Sequence, residues 1–282
     1  MKATIHKSTL PVCILMYIVT TFFNLAHSTT IPGVKVVGEY LAPGLSTELS
    51  GIYPHPTQET LYFVVANKYP NYSKDQKPML EKKYRGKLLT VERDTAKIVD
   101  VSDLSDGDYG GIAFAKEHLY ISSLNPSEIL KFSLVTKKVV ARFPLSAPAG
   151  GLEYDESRNA LLAQVFLTTP HLAVIDIDTG LTTEMLWSDE TAMGLAKVGD
   201  TWLCTWSSGF DTNALGELRQ LDKQTGKVTG RISLDNVYYA TAPVQLPSGS
   251  QGFMAMQSTD LRTGSVSIAY FDFDNSKVAW VN

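Results

Sequence analysis

From Ser50 to the C terminus, short apolar runs alternate with polar turns, two runs to a hairpin and two hairpins to a unit. The first hairpin of each unit reads SGIYPHPTQETLYFVVANK from Ser50, GGIAFAKEHLYISS from Gly110, GGLEYDESRNALLAQ from Gly150, MGLAKVGDTWLCTW from Met193 and TAPVQLPSGSQGFMAMQ from Thr241. The second reads LTVERDTAKIV, KFSLVTKKVV, AVIDIDTGLTT, RQLDKQTGKVT and AYFDFDNSKVA, each with a polar turn at its middle. Short runs rich in Val, Ile, Tyr and Phe between Gly, Asn, Asp and Pro have the grammar of strands. Nowhere does a helical period hold over the roughly 11–18 residues that an amphipathic helix needs.

The second-hairpin turns centre on Thr95, Thr136, Thr179, Thr225 and Asn275, at spacings of 41, 43, 46 and 50 residues. A four-stranded antiparallel unit recurring at that interval predicts an all-β protein, a β-propeller of five four-stranded blades. A large sandwich would show turns without this beat. Strands are lettered A to D from the axis outward. The stretch Val34 to Leu41 reads as an outer D strand with no A to C of its own, so it is expected to take part in ring closure. Lys277 to Val281 reads as a D strand for the last blade, which leaves six blades as the alternative.

Residues 1–28 stand apart. Lys2, His6 and Lys7 precede the apolar run Leu10 to Phe23, and Ala26-His27-Ser28 has the small residues of a cleavage site, the form of a secretory signal peptide. The apolar run is shorter than the roughly 20 residues needed to cross a bilayer, which makes a retained anchor the weaker reading. The expected organisation is a signal at 1–28, a single propeller domain at 29–282 and secretion. Cleavage would remove Lys2 and Lys7 and no acid, leaving 23 basic against 29 acidic residues. That mildly acidic chain argues against nucleic acid or an anionic membrane surface as partner, and oligomeric state is left open. Cys204 would be the sole remaining cysteine, and its place in WLCTW suggests a buried small hydrophobe.

In a propeller the D-to-A and B-to-C loops emerge on one face around the central channel, and there function is expected. Asp108 and Tyr109 fall at that mouth with Ser122, Asn125 and Tyr239, and Asn67, Gln164, Trp206 and Gln257 end B strands. The aromatic rings would wall a pocket, and the amides, which both donate and accept, suit a neutral polar ligand. Glu48, Asp106, Asp108, Asp189 and Glu190 offer oxygens to Ca²⁺, but the same residues serve as solvated turn formers, so no cofactor or metal is predicted. His55, His118 and His171 lie in turns or loops, His55 and His118 on the opposite, A-to-B side. No zinc spacing or nucleophile elbow accompanies them, so no catalytic residue is assigned. The long segment from Asn67 to Gly86 is a lid or an insertion, and its Asn71-Tyr72-Ser73 is a glycosylation sequon.

With the blades placed, ELSGIYPHPTQETLYFVVANK and DYGGIAFAKEHLYISS resemble the A and B strands of the gluconolactonase/senescence-marker and NHL-like propellers. That resemblance implies a propeller; the lactonases' axial cation is held by a glutamate that begins an inner strand, where this chain has Ser50, Gly110 and Gly150. The segment GDTWLCTWSSGFDTNALGELRQLDKQTGKVTGRISL is similar in strand layout to five-bladed glutaminyl cyclotransferases, whose glutamate-bearing segment would fall at Ala192 to Ala196, where no acid stands. The expected function is binding of a small organic molecule or peptide at the mouth, with lactonase-, esterase- or cyclase-like chemistry as an extension. A non-catalytic protein- or glycan-interaction propeller is the alternative.

Overall fold

Strand β1 (Val34–Ala42) leads into four complete pairs of hairpins and then three strands, β18 to β20, most of them where the alternation had marked strands. The computed structural model describes residues 31–42, 49–65, 86–93, 95, 97–105, 107–167, 170–187, 194–207, 215–260 and 265–281. Blade 1 is β2 (Leu49–Pro54), β3 (Thr60–Val65), β4 (Lys87–Glu92) and β5 (Ile98–Asp103). Blade 2 is β6 (Asp108–Ala115), β7 (His118–Asn125), β8 (Glu128–Ser133) and β9 (Lys138–Pro144). Blade 3 is β10 (Ala149–Asp155), β11 (Ala160–Phe166), β12 (Pro170–Asp176) and β13 (Thr182–Trp187). Blade 4 is β14 (Gly194–Val198), β15 (Thr201–Ser207), β16 (Gly216–Leu221) and β17 (Val228–Leu234). Blade 5 joins both ends of the chain: β18 (Tyr238–Gln245), β19 (Gln251–Asp260) and β20 (Ser265–Phe273) are completed by β1, which pairs antiparallel with β20 from Val34 opposite Phe273 to Ala42 opposite Val266.

The fold is thus a five-bladed propeller closed by its N-terminal strand. Closure covers the β20 edge, which would otherwise present unpaired N–H and C=O groups. The D strand expected at Lys277 to Val281 does not form. Asn275–Lys277 is a 3₁₀ turn, and Val281 pairs with Arg231 on the outer strand of blade 4 through two backbone hydrogen bonds of 2.8 and 3.0 Å. Asp274 caps the turn by accepting from the Ser276 N–H and hydroxyl, which ends the strand, so the edge of β20 is left to β1.

Alternation sends one face of each sheet toward the preceding blade and one toward the next. Five apolar clusters fill the five gaps. Phe63, Leu89 and Met254 join blades 5 and 1; Tyr62, Tyr109 and Ile121 join 1 and 2; Tyr120, Phe143 and Ile175 join 2 and 3; Leu162, Trp202 and Cys204 join 3 and 4; Leu203, Phe253 and Phe271 join 4 and 5. Cys204 is buried there, and burial, with Glu217 nearby, pushes its thiol up to about 12. The C-to-D turns use Asp side chains: Asp176 Oδ1 accepts from the N–H groups of Asp178 and Thr179, and Asp222 Oδ1 from those of Gln224 and Thr225.

The inner strands approach one another most closely near their starts. A Cβ on Gly111 of β6 would lie 2.6 Å from the Leu152 nitrogen and 2.7 Å from the Gly150 oxygen of β10, so only glycine fits. Ser122 of β7, wholly buried, ties the same strands: its Oγ accepts from the Gly111 N–H at 2.7 Å and donates to the Gly150 carbonyl at 2.5 Å. Among the described residues no helix is long and apolar enough to cross a membrane.

Candidate functional site

The far ends of the inner strands are built differently from their starts. Gly51, Gly151 and Gly194 approach the next inner strand as Gly111 does, Gly194 meeting Thr241, and two residues beyond these five positions Tyr53, Ala113, Glu153, Ala196 and Pro243 stand at one level around the axis. The inner edge of an A strand has no ladder partner, so its N–H groups need other acceptors. Side chains at this level supply them. The Phe114 N–H reaches the Tyr53 phenol oxygen, the Tyr154 N–H donates to Glu153 Oε1 at 2.8 Å, and the Lys197 N–H reaches the same carboxyl group.

Glu153 is 3% exposed, and among the described residues its Oε2 has no hydrogen-bond partner. Burial pushes the carboxyl up to about 8, against the pull of the Tyr154 and Lys197 N–H groups and the Lys197 ammonium. It is therefore mostly protonated near neutrality. Tyr53 is raised by burial and further by Glu153, which puts the phenol and the carboxyl within electrostatic reach of each other near the axis.

Below this level a cavity of about 770 Å³ opens among the A-to-B turns. Tyr53, Phe114, Val198, Pro243, Val244 and Leu246 make its apolar walls. Lys197, His55, Arg93 and Glu59 are its charged and titratable groups. Arg93 pairs with Glu59 at 2.7 Å, and both elements are also joined by a backbone bond. His55 Nδ1 accepts from the Thr57 and Gln58 N–H groups, both at 3.1 Å, so its ring proton sits on Nε2. Burial lowers its pKa, and its ring stacks on Tyr62 with centroids 5.3 Å apart. A concave site with apolar walls and a few placed polar groups is what small-molecule binding requires.

This cavity lies at the end opposite the expected mouth. There, Tyr109 and Tyr239 are buried in interblade clusters, and the Tyr109 hydroxyl donates to the Ser105 carbonyl at 2.8 Å while its own carbonyl accepts from Ser50. Ser122 and Gln164 are wholly buried and stand at equivalent places, beside the starts of the inner strands of blades 2 and 3. Trp206, half-buried, stacks on the Arg219 guanidinium at 4.2 Å, which is in turn paired with Glu217 at 2.7 Å. Gln257 accepts from Ser267 at 3.4 Å. Asp108 lies opposite Asn125 in the β6–β7 pair, half-buried where Asn125 is exposed. The structure thus brings Asp108 and Asn125 together, sets Ser122 and Gln164 into the wall and gives Trp206 a cation to cover. Asn67, Asp106, Asp189 and Glu190 lie outside the described residues, as do the loops 66–85, 188–193, 208–214 and 261–264. Among the described residues no three His, Cys, Asp or Glu side chains converge as a metal site would require.

Glu153 and Lys197 carry a signal that sequence reasoning passed over. An acid and a base in the innermost strand, where the other blades carry no charged residue at the same positions, are costly to bury and mark a place worth inspecting.

No family model and no curated protein matches this chain. Among solved structures, it is similar to the glutaminyl cyclase of Myxococcus xanthus, with a TM-score of 0.61 and 14% identity over 86% of this chain and 98% of that one. It also aligns with the hydrazine synthase of Kuenenia stuttgartiensis at a TM-score of 0.49 and 11% identity, over 76% of this chain and 57% of that one. At 14% identity the first likeness is one of fold, and it agrees with the five four-stranded sheets: the chain is a five-bladed β-propeller.

Proposed function

We propose that this protein is a secreted propeller that binds a small organic molecule, or the end of a peptide, in the cavity at the A-to-B end of its channel. The observation that carries this is the cavity itself, about 770 Å³ and walled by side chains from four of the five inner strands, with the buried Glu153 of the fifth behind it. That volume matches the range of drug-sized ligand sites. No cation is assigned to it.

A second reading, an enzyme of esterase or cyclase kind, is favoured by one feature. A carboxyl held near pKa 8 beside a phenol can pass a proton in either direction at neutral pH, which is what general acid–base work needs. The fold shared with a glutaminyl cyclase is compatible with this and does not select it.

The test is a fragment and short-peptide library screened against the mature protein by ligand-observed NMR, repeated on Val198→Trp, which fills the cavity. Hits that vanish in the variant are expected. Hits that persist in it, or that are displaced only by changes at Trp206 and Gln257, would move the site to the other face. An absence of hits with retained binding of proteins or glycans would favour the interaction module.

A further inference from the structure

The cavity walls carry an unbalanced charge. Arg93 is paired with Glu59, whose side chain is largely exposed at the rim. Lys197, which rises from the inner strand of blade 4 into the wall, makes no salt bridge among the described residues. The acid that feels its charge, Glu153, turns one oxygen to the Tyr154 N–H, and burial keeps that carboxyl neutral near pH 7, so it does not cancel the ammonium. His55 adds an Nε2–H donor to the wall. A cation without a counter-ion on an apolar wall is stabilised by an anion brought to it, and in an otherwise acidic protein this one is not explained by the overall charge.

Resting on the reading of the cavity as a ligand site, we infer that its ligand is a small organic carboxylate, the anionic group seated on Lys197 and an apolar or aromatic body held among Tyr53, Phe114 and Pro243. The aromatic faces and the proline ring supply flat apolar surface at the depth where such a body would lie. Amines are disfavoured by the same ammonium, and neutral amides keep a hydrogen bond from it but lose the attraction between opposite charges.

The experiment compares phenylacetate, phenylacetamide and 2-phenylethylamine on the mature protein by titration NMR, with Lys197→Met and Lys197→Arg alongside. Phenylacetate should bind about tenfold more tightly than the amide, the gain from a charged over a neutral acceptor, and the amine should bind more weakly than either. Lys197→Met should remove the preference for phenylacetate over the amide without changing Tm, and Lys197→Arg should restore it. An amide or amine that binds as tightly as phenylacetate, phenylacetate binding that survives Lys197→Met, or no binding of any of the three overturns the inference. The cavity reading falls separately, only if library hits also survive Val198→Trp.

Discussion

The two ends of the same five inner strands are opposites. At their starts, backbones approach so closely that Gly111 has no room for a Cβ, and Ser122 bonds two strands at once. At their ends, the strands place a phenol, a carboxyl and an ammonium around an open recess. Packing is tightest where the side chains are smallest, because there the backbones of neighbouring inner strands meet. Freedom to bind is found where the strands carry large side chains and the A-to-B turns spread. A propeller can therefore tolerate chemical variety at one end of its channel while the other end is sterically committed.

Changes at each end should break this contrast in different ways. The largest effect is expected from Glu153. Its carboxyl stays protonated up to about pH 8 in the folded protein and ionises from about pH 4.5 in the unfolded chain, so between those values the native state binds the extra proton. Stability should fall as pH rises through this window, by a total of about 5 kcal/mol, and should level off above it. In Glu153→Gln this component is absent, so the difference in unfolding free energy between variant and wild type should grow from pH 4.5 to 8. A difference independent of pH would show that the carboxyl is not held neutral by burial.

Next comes the crowded end. Gly111→Ala forces a methyl group against the backbone of β10 and should cost on the order of 3 kcal/mol in denaturant unfolding. An unchanged midpoint would mean that the strands have room to move apart. Ser122→Ala leaves the Gly111 N–H and the Gly150 carbonyl without their shared partner and should cost about 2 kcal/mol. Should it instead abolish ligand binding at unchanged stability, Ser122 belongs to a site and not to the wall. The smallest effect is expected at the open end, where Lys197→Met should change stability by no more than about 0.5 kcal/mol, measured at one pH near 7.

Much of the architecture was legible before any coordinates. Strand grammar, the interval of 41 to 50 residues and the lone D-like strand at Val34 were enough for five blades and for closure by the N terminus, because blades are local units and each turn signal is written within a few residues. The C-terminal segment was misread for the same reason: SKVA continues an alternating pattern, but the Asp274 cap and the competing β1 strand settle its fate, and the second of these lies more than 200 residues away in sequence.

The candidate site was less legible. Tyr109, Gln164 and Tyr239 are polar or amphipathic residues at strand positions, and alternation alone assigns them a face without saying whether that face meets solvent or a neighbouring blade. The level shared by Tyr53, Ala113 and Glu153 depends on bulges beside Ser50, Gly110 and Gly150, which shift the register by amounts that no local pattern reports. Periodicity and turn chemistry were sufficient for the number and order of blades, since both act over a few residues. The width of the channel at each end, the neutral state of a buried acid and the exposure of one ammonium to a cavity arise only when five distant strands converge on one axis, where desolvation and steric contact are sums over all of them.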